Sequence, residues 1–198
     1  MIWLDEKLFF LINGLAGKSE AADSFMRLVV GEQFIPVAMV MVLVAMWFLG
    51  KDARGRERNQ RAVWTALIGV GFVSAAVALS NHFFDRPRPF DDFPEILPIV
   101  NGLFYPPTDS SFPSNSAAVG FAFGMGAWFG SRKAALVIFF LAILWTFARV
   151  YCGVHYPLDI VGGAVIGIFC SFLALGFLRL IEPLAKWFLD IIRLLYLA

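Results

Sequence analysis

The stretch Ala148-Arg149-Val150-Tyr151-Cys152-Gly153-Val154-His155-Tyr156-Pro157-Leu158-Asp159 decides how this chain is read. In it Arg149, His155 and Asp159 sit at short spacings where two apolar runs, Ala134–Tyr151 and Pro157–Leu180, adjoin. Each run has about the length that a membrane-spanning helix needs, roughly 20 mostly apolar residues. Polar groups held that close to a bilayer are costly, which favours a functional reading over an incidental one. Pro157 suits the first turn of the second helix, where its missing N–H would have no partner anyway.

The composition agrees. Of 198 residues, 60% are hydrophobic and 16% charged, where a soluble domain carries roughly 25% charged residues. The implied class is all-α: a polytopic integral membrane helical bundle forming one domain over residues 1–198. A net charge of +1 gives no reason to expect a nucleic-acid partner, and membrane lipids are the expected surroundings. Cys152 and Cys170 form no disulfide framework and match no metal spacing.

Working outward, five spans are expected. They are Phe34–Gly50, Ala62–Asn81, Ser114–Gly130, Ala134–Tyr151 and Pro157–Leu180, a bundle over residues 34–180. Glu32 and Pro36 interrupt the start of the first, and the Gly- and Ala-rich third allows close helix approach. Residues 1–17, with Leu4, Leu8, Phe9, Ile12 and Leu15 at helical spacing, read as an interfacial helix; residues 183–198 read as an amphipathic tail. Lys51, Arg54, Arg56, Arg58 and Arg61 in one expected loop, with Arg132 and Lys133 in another, place both loops in the cytoplasm. The expected setting is a multi-pass plasma (inner) membrane protein with a cytoplasmic C-terminus. The segment His82–Pro113 and the link Cys152–Tyr156 then face the periplasm or cell exterior.

Topology thus gathers three polar islands on one face: Asn81–Phe90, Ser110–Ser116 and the opening stretch. Arg88, between Pro87 and Pro89, and Arg149 point to an anion, since guanidinium forks suit phosphate oxygens. Arg86 reads equally well as a headgroup anchor. Pro113-Ser114-Asn115-Ser116 opens a helix whose free N–H groups form a phosphate cradle, with Ser or Asn also serving as an ordinary cap. His155 and Asp159, four residues apart, fit a carboxylate that fixes the tautomer of a nucleophilic imidazole. A structural His–Asp contact has the same spacing; the arginines tip the balance to phosphoryl transfer. Asp91 and Asp92 are adjacent and loop-borne, so no metal or other cofactor is expected.

On these residues the chain resembles the type 2 phosphatidic acid phosphatase superfamily, also called the lipid phosphatase and haloperoxidase superfamily, over nearly its whole length. Arg86-Pro87-Arg88-Pro89-Phe90, Ser111-Phe112-Pro113-Ser114 and Gly153–Asp159 are most similar to the bacterial undecaprenyl-diphosphate phosphatases. The resemblance implies phosphate binding by Arg88, Arg149 and Ser114 with its neighbour Asn115. It further implies a phosphohistidine at His155 and orientation of His155 by Asp159. Three positions depart from the family motifs: the lysine falls on Asn81, a serine falls on Ala148, and the general-acid histidine falls on Ser116. Asn81 is assigned to the phosphate-binding set in the lysine's place, and Ser116 to the catalytic set.

The last departure bears on the substrate. A phosphate monoester expels an alkoxide, whose conjugate acid is about as weak as water, pKa about 15.7. Such a leaving group needs a proton, and general acid catalysis is worth about 10²–10⁴-fold. A lipid diphosphate expels a lipid monophosphate with a second pKa of about 6, which leaves without one. The expected activity is therefore removal of the terminal phosphate of a polyprenyl diphosphate on the extracytoplasmic face. The alternatives are a non-catalytic lipid-phosphate binder or carrier, and a phosphatidic acid or phosphatidylglycerophosphate phosphatase.

Overall fold

Small side chains set the centre of the molecule. The computed structural model describes residues 2–183, and within them helix α7 (Asn115–Trp128) packs against α4 (Ala53–Ser80), α8 (Arg132–Tyr151) and α9 (Pro157–Leu180). Ala117, Ala118, Gly120, Ala122, Gly124 and Gly126 are all buried on it. The α9 approach depends on Gly163 and Gly167: a Cβ at the first would collide with the Ser114 carbonyl, and at the second with the Ala118 carbonyl. Spacing two glycines one turn apart in this way lets helix backbones touch.

Around this centre lie α1 (Ile2–Asn13), α2 (Glu20–Val30), α3 (Phe34–Phe48), α5 (Pro89–Asp92), a 3-10 turn (Pro94–Ile96) and α6 (Leu97–Leu103). Three helices, α4, α8 and α9, are long and apolar enough to cross a membrane. The α2–α3 pair, bent by 56° at a short break, makes a fourth if it counts as one span. Outward side chains such as Phe140 and Ile143 on α8, and Val165 and Phe169 on α9, are exposed, as a lipid-facing surface requires. The protein is a multi-pass membrane protein.

Several expectations need correction. Against the five spans expected, three described helices, or four counting the bent pair, are long and apolar enough to cross. Helix α7, at 14 residues, is about 21 Å long against a hydrocarbon core of about 30 Å. Sheathed by three other helices, it has no need to match the bilayer. The residues read as a basic loop, 51–61, are mostly the start of α4, because the Asp52 side chain caps it by accepting the Gly55 N–H at 2.6 Å. Within the segment 82–113, α5, the 3-10 turn and α6 put Phe90, Ile96 and Val100 into a core with Phe9, Val154 and Tyr156. The expected tail over 183–198 lies, beyond its first residue, outside the described residues.

Helix α1 forms within residues 1–17, with two distinct faces. Trp3, Leu4, Leu8 and Leu11 are exposed, while Asp5, Phe9 and Asn13, one turn apart from each other, are buried against the bundle.

The link carrying His155 is set by a helix stop. Gly153 adopts φ +86°, its N–H donates to Val150, and the Val154 N–H donates to the Arg149 carbonyl at 3.1 Å. That pairing is a Schellman end, which favours glycine in the left-handed position. An alanine there would cost roughly 1–2 kcal/mol in backbone strain. Its Cβ would also crowd Ile96, Asn13 and Val100 at 3.1–3.3 Å. Gly153→Ala is expected to lower stability by at least that strain, read as a lower melting temperature in detergent; an unchanged melting temperature would contradict this account of the link.

Candidate active site

The site is built where α7 and α9 begin and α8 ends. At the start of α9, Asp159 is buried and its Oδ2 accepts the Tyr156 N–H at 2.8 Å and the Ser111 hydroxyl at 2.6 Å. Its Oδ1 accepts from Arg86 at 2.6 Å. The start of α7 is tied to the same place, because the Ser114 N–H donates to the Asp159 carbonyl at 3.1 Å. Between Ser111 and Ser114 the Phe112–Pro113 peptide is cis.

His155 is buried, with Nδ1 2.9 Å from the Ser111 carbonyl oxygen. A carbonyl only accepts, so the proton sits on Nδ1 and Nε2 carries the lone pair. The Nδ1–Asp159 distance is 3.8 Å, too long for a hydrogen bond. The expected direct orientation by Asp159 is thus replaced by an indirect one: Asp159 holds Ser111, and Ser111 holds the imidazole. The reason is local, since Oδ2 of Asp159 is already committed to the N-terminal N–H of α9 and to the Ser111 hydroxyl.

Burial pushes the pKa of His155 down, aided by the Arg88 and Arg149 charges and opposed by Asp159. A lowered value keeps the ring neutral, as a nucleophile requires, to lower pH than an ordinary imidazole. The chain has two histidines, so in a His82→Gln background a single ring is observed. Its NMR titration midpoint is expected below the ordinary value of about 6.5; a midpoint above that value would overturn this electrostatic reading.

Arg88 lies over the free side of the ring, with Nη1 3.4 Å from His155 Nε2 and 2.7 Å from the Val154 carbonyl. Its Nε and Nη2 bind the Asp109 carbonyl and carboxylate at 2.9 and 2.8 Å. Arg149, in the last turn of α8, is buried with its guanidinium 4.5 Å from the Phe104 ring centre. Its Nη2 is 3.5 Å from Glu32, and its Nε has no hydrogen-bond partner among the described residues. Each arginine therefore pairs with an acid whose side chain is more than half exposed, Asp109 at 57% and Glu32 at 59%. Those acids face solvent, and phosphate oxygens can take their place. Next to Glu32 and Phe104 opens a shallow groove of about 800 Å³, lined by Leu28, Phe34 and Val37 together with the polar Arg27, Gln33 and Tyr105.

The remaining sequence-derived residues fall unequally. Ser114 caps α7 through its hydroxyl, and Ser116 is buried in the first turn. The N–H groups of Asn115 and Ser116 have no acceptor among the described residues, as the start of a helix leaves them. Asn115 itself is exposed. Asn81 ends α4 in an exposed position, and no hydrogen bond ties its side chain to this cluster. Arg86, read as a possible headgroup anchor, instead bridges Asp159 and Asp5, the latter at 2.7 Å. Asp5 and the structural use of Ser111 were not anticipated. The charged run Asp5-Glu6-Lys7 in an otherwise apolar helix was the available signal for Asp5.

Residues 62–181 match the family model described as the PAP2 superfamily. The chain is 26% identical over 193 residues to the undecaprenyl-diphosphatase BcrC of Bacillus subtilis (strain 168), covering 98% of this chain and 92% of that protein. Among solved structures, Aquifex aeolicus LpxE superposes with a TM-score of 0.63 at 24% identity, covering 87% of this chain and 95% of that one. The first transmembrane PAP2 type phosphatidylglycerolphosphate phosphatase from Bacillus subtilis superposes with a TM-score of 0.59 at 20% identity, covering 90% and 86%. Both share the fold.

Proposed function

The chain belongs to the PAP2 superfamily, and from that premise we propose that it removes the terminal phosphate of a polyprenyl diphosphate, with His155 as nucleophile. It is a membrane lipid phosphatase of that family, acting on a lipid phosphate or diphosphate. In the proposed reaction Nε2 of His155 attacks the terminal phosphorus, guided by Arg88 and Arg149. The P–O bond to the bridging oxygen breaks, and its electron pair leaves with the polyprenyl monophosphate. Water then attacks the phosphohistidine, releasing inorganic phosphate and restoring His155. Arg88, Arg149 and the open N–H groups of Asn115 and Ser116 hold the equatorial oxygens.

The observation that carries the choice of a diphosphate is Ser116. On the nucleophile side, Nδ1 of His155 meets the Ser111 carbonyl and Nε2 lies beside Arg88. On α7 a buried serine stands where the family motif has its acid. A serine does not protonate an alkoxide, but a lipid monophosphate departs without that help. The undecaprenyl-diphosphatase named for the Bacillus subtilis relative supports the same substrate class. The charge asymmetry between Arg54, Arg56 and Arg58 at one end of α4 and the site at the other supports an extracytoplasmic active site in the plasma membrane.

The test is direct. Purified protein in detergent or lipid is expected to release phosphate from a polyprenyl diphosphate; no release from any isoprenoid diphosphate would sink the proposal and leave a lipid-phosphate binder in its place.

A further inference from the structure

The N-terminal helix lies outside residues 62–181, the segment matched by the family model, yet its buried face ends in the active site. Asp5 is 2% exposed and both its carboxylate oxygens are used. Oδ2 accepts from Arg86 at 2.7 Å, and Oδ1 accepts the Leu158 N–H at 2.9 Å, in the first turn of α9. One turn on, Phe9 packs edge-on against Tyr156 with ring centres 5.4 Å apart. One turn further, the Asn13 side chain donates to the Tyr151 carbonyl at 2.9 Å. Three successive turns of α1 thus grip the two ends of the link that carries His155.

The polar part of this seam continues inward. Arg86 donates to Asp5 through Nη2 and to Asp159 through Nη1, with its guanidinium 4.4 Å from the Tyr156 ring centre. Asp159 then accepts the Ser111 hydroxyl, and the Ser111 carbonyl accepts from Nδ1 of His155. A buried carboxylate is costly, and anchoring α1 alone would need only the apolar contact at Phe9 and the amide at Asn13. Arg86 has a partner in Asp159 without Asp5. What Asp5 adds is a second acceptor that fixes the guanidinium between two carboxylates and so fixes the rotamer of Asp159.

We propose that Asp5 is a positioning residue of the active site, acting through Arg86, Asp159 and Ser111 to hold the imidazole of His155 in line for attack. The opposite face of α1, with Trp3, Leu4, Leu8 and Leu11 exposed, seats the same helix in the membrane interface. The nucleophile is therefore held from the lipid side by a helix remote from it in sequence. This inference rests on the proposed reaction for its kinetic readout, but not for its electrostatic one.

Kinetically, Asp5→Asn is expected to lower kcat on a polyprenyl diphosphate by about 10²-fold, the cost of a small misplacement of a reacting group. KM should stay within about twofold, because Arg88 and Arg149 are untouched, and Asp5→Glu should recover part of the loss. Asn13→Ala, which loosens α1 without altering the charge chain, should change kcat far less.

The second readout is the His155 titration in the His82→Gln background. The charged groups facing His155 are Arg88 ahead of α5, Arg149 on α8 and Asp159 on α9, with Arg86 and Asp5 behind Asp159. Removing the Asp5 charge leaves Arg86 less neutralised, so Asp5→Asn should move the midpoint down. Arg86→Gln should move it up. Opposite shifts are not produced by a merely structural loosening of α1. If Asp5→Asn does not fold, Arg86→Gln and Asp5→Glu read the same chain. Equal kcat losses in Asp5→Asn and Asn13→Ala, or no movement of the midpoint in either charge variant, would overturn the proposal. If the wild type hydrolyses no diphosphate, the proposed function fails while the titration still decides the role of Asp5.

Discussion

Replacing His155 by glutamine or alanine is expected to abolish phosphate release, with a fall in kcat on the order of 10⁴-fold or more, as when the nucleophile of a covalent mechanism is removed. Glutamine is the more informative change, since it keeps a neutral polar side chain of similar size while removing the nucleophilic ring nitrogen. Arg88 and Arg149 are held largely by Asp109, Val154, Phe104 and Glu32. Their places do not depend on the imidazole. Affinity for a lipid phosphate should accordingly survive in His155→Gln, measured by equilibrium binding beside the kinetic assay. A variant that binds and does not turn over is the expected outcome. Turnover within tenfold of wild type would remove His155 from the chemistry.

The second large effect concerns what leaves. On matched substrates of one chain length, wild type is expected to favour the diphosphate over the monophosphate by about 10²–10⁴-fold, the usual worth of a general acid. Ser116→His should raise monophosphate hydrolysis toward that range and change diphosphate hydrolysis little, because the lipid monophosphate leaves unaided. Ser116 is buried beside small residues of α7, so a companion Ser116→Asn tests whether added volume alone is tolerated. Equal rates on the two substrates in wild type would mean that another group supplies the proton. The selectivity argument would then fall.

The chemistry of the site was more legible than its support. The helices flanking His155 end close to where hydrophobic runs and Pro157 place them, since a spanning run and a proline at a helix start are local signals. The three polar islands meet because the short turn between α7 and α8 brings the chain back along itself to the same end of the bundle. Burial was less legible. In a soluble protein the apolar face of a helix points inward, but beside lipid both faces can be apolar and the pattern loses its direction. Helix α1 shows the consequence: Leu4, Leu8 and Leu11 face out, and the buried stripe runs through Asp5 and Asn13. Helix α7 shows it again, being rich enough in apolar residues to read as a span yet enclosed by protein. The Ser111 carbonyl as the partner of His155 was beyond reach, because a backbone acceptor leaves no mark on the sequence. Asn81 was placed by motif position and Asn115 by its place at a helix start, and among the described residues neither side chain joins the hydrogen-bonded cluster.

The central claim is that His155 carries the phosphoryl group, and one measurement addresses it most directly. Protein mixed with a polyprenyl diphosphate labelled in its terminal phosphate, quenched within a turnover under alkaline conditions that preserve phosphohistidine, and digested for mass spectrometry should yield label on the peptide containing His155 and none in His155→Gln. Steady release of labelled phosphate with no label on His155 at any quench time, or label on another residue, would contradict the account.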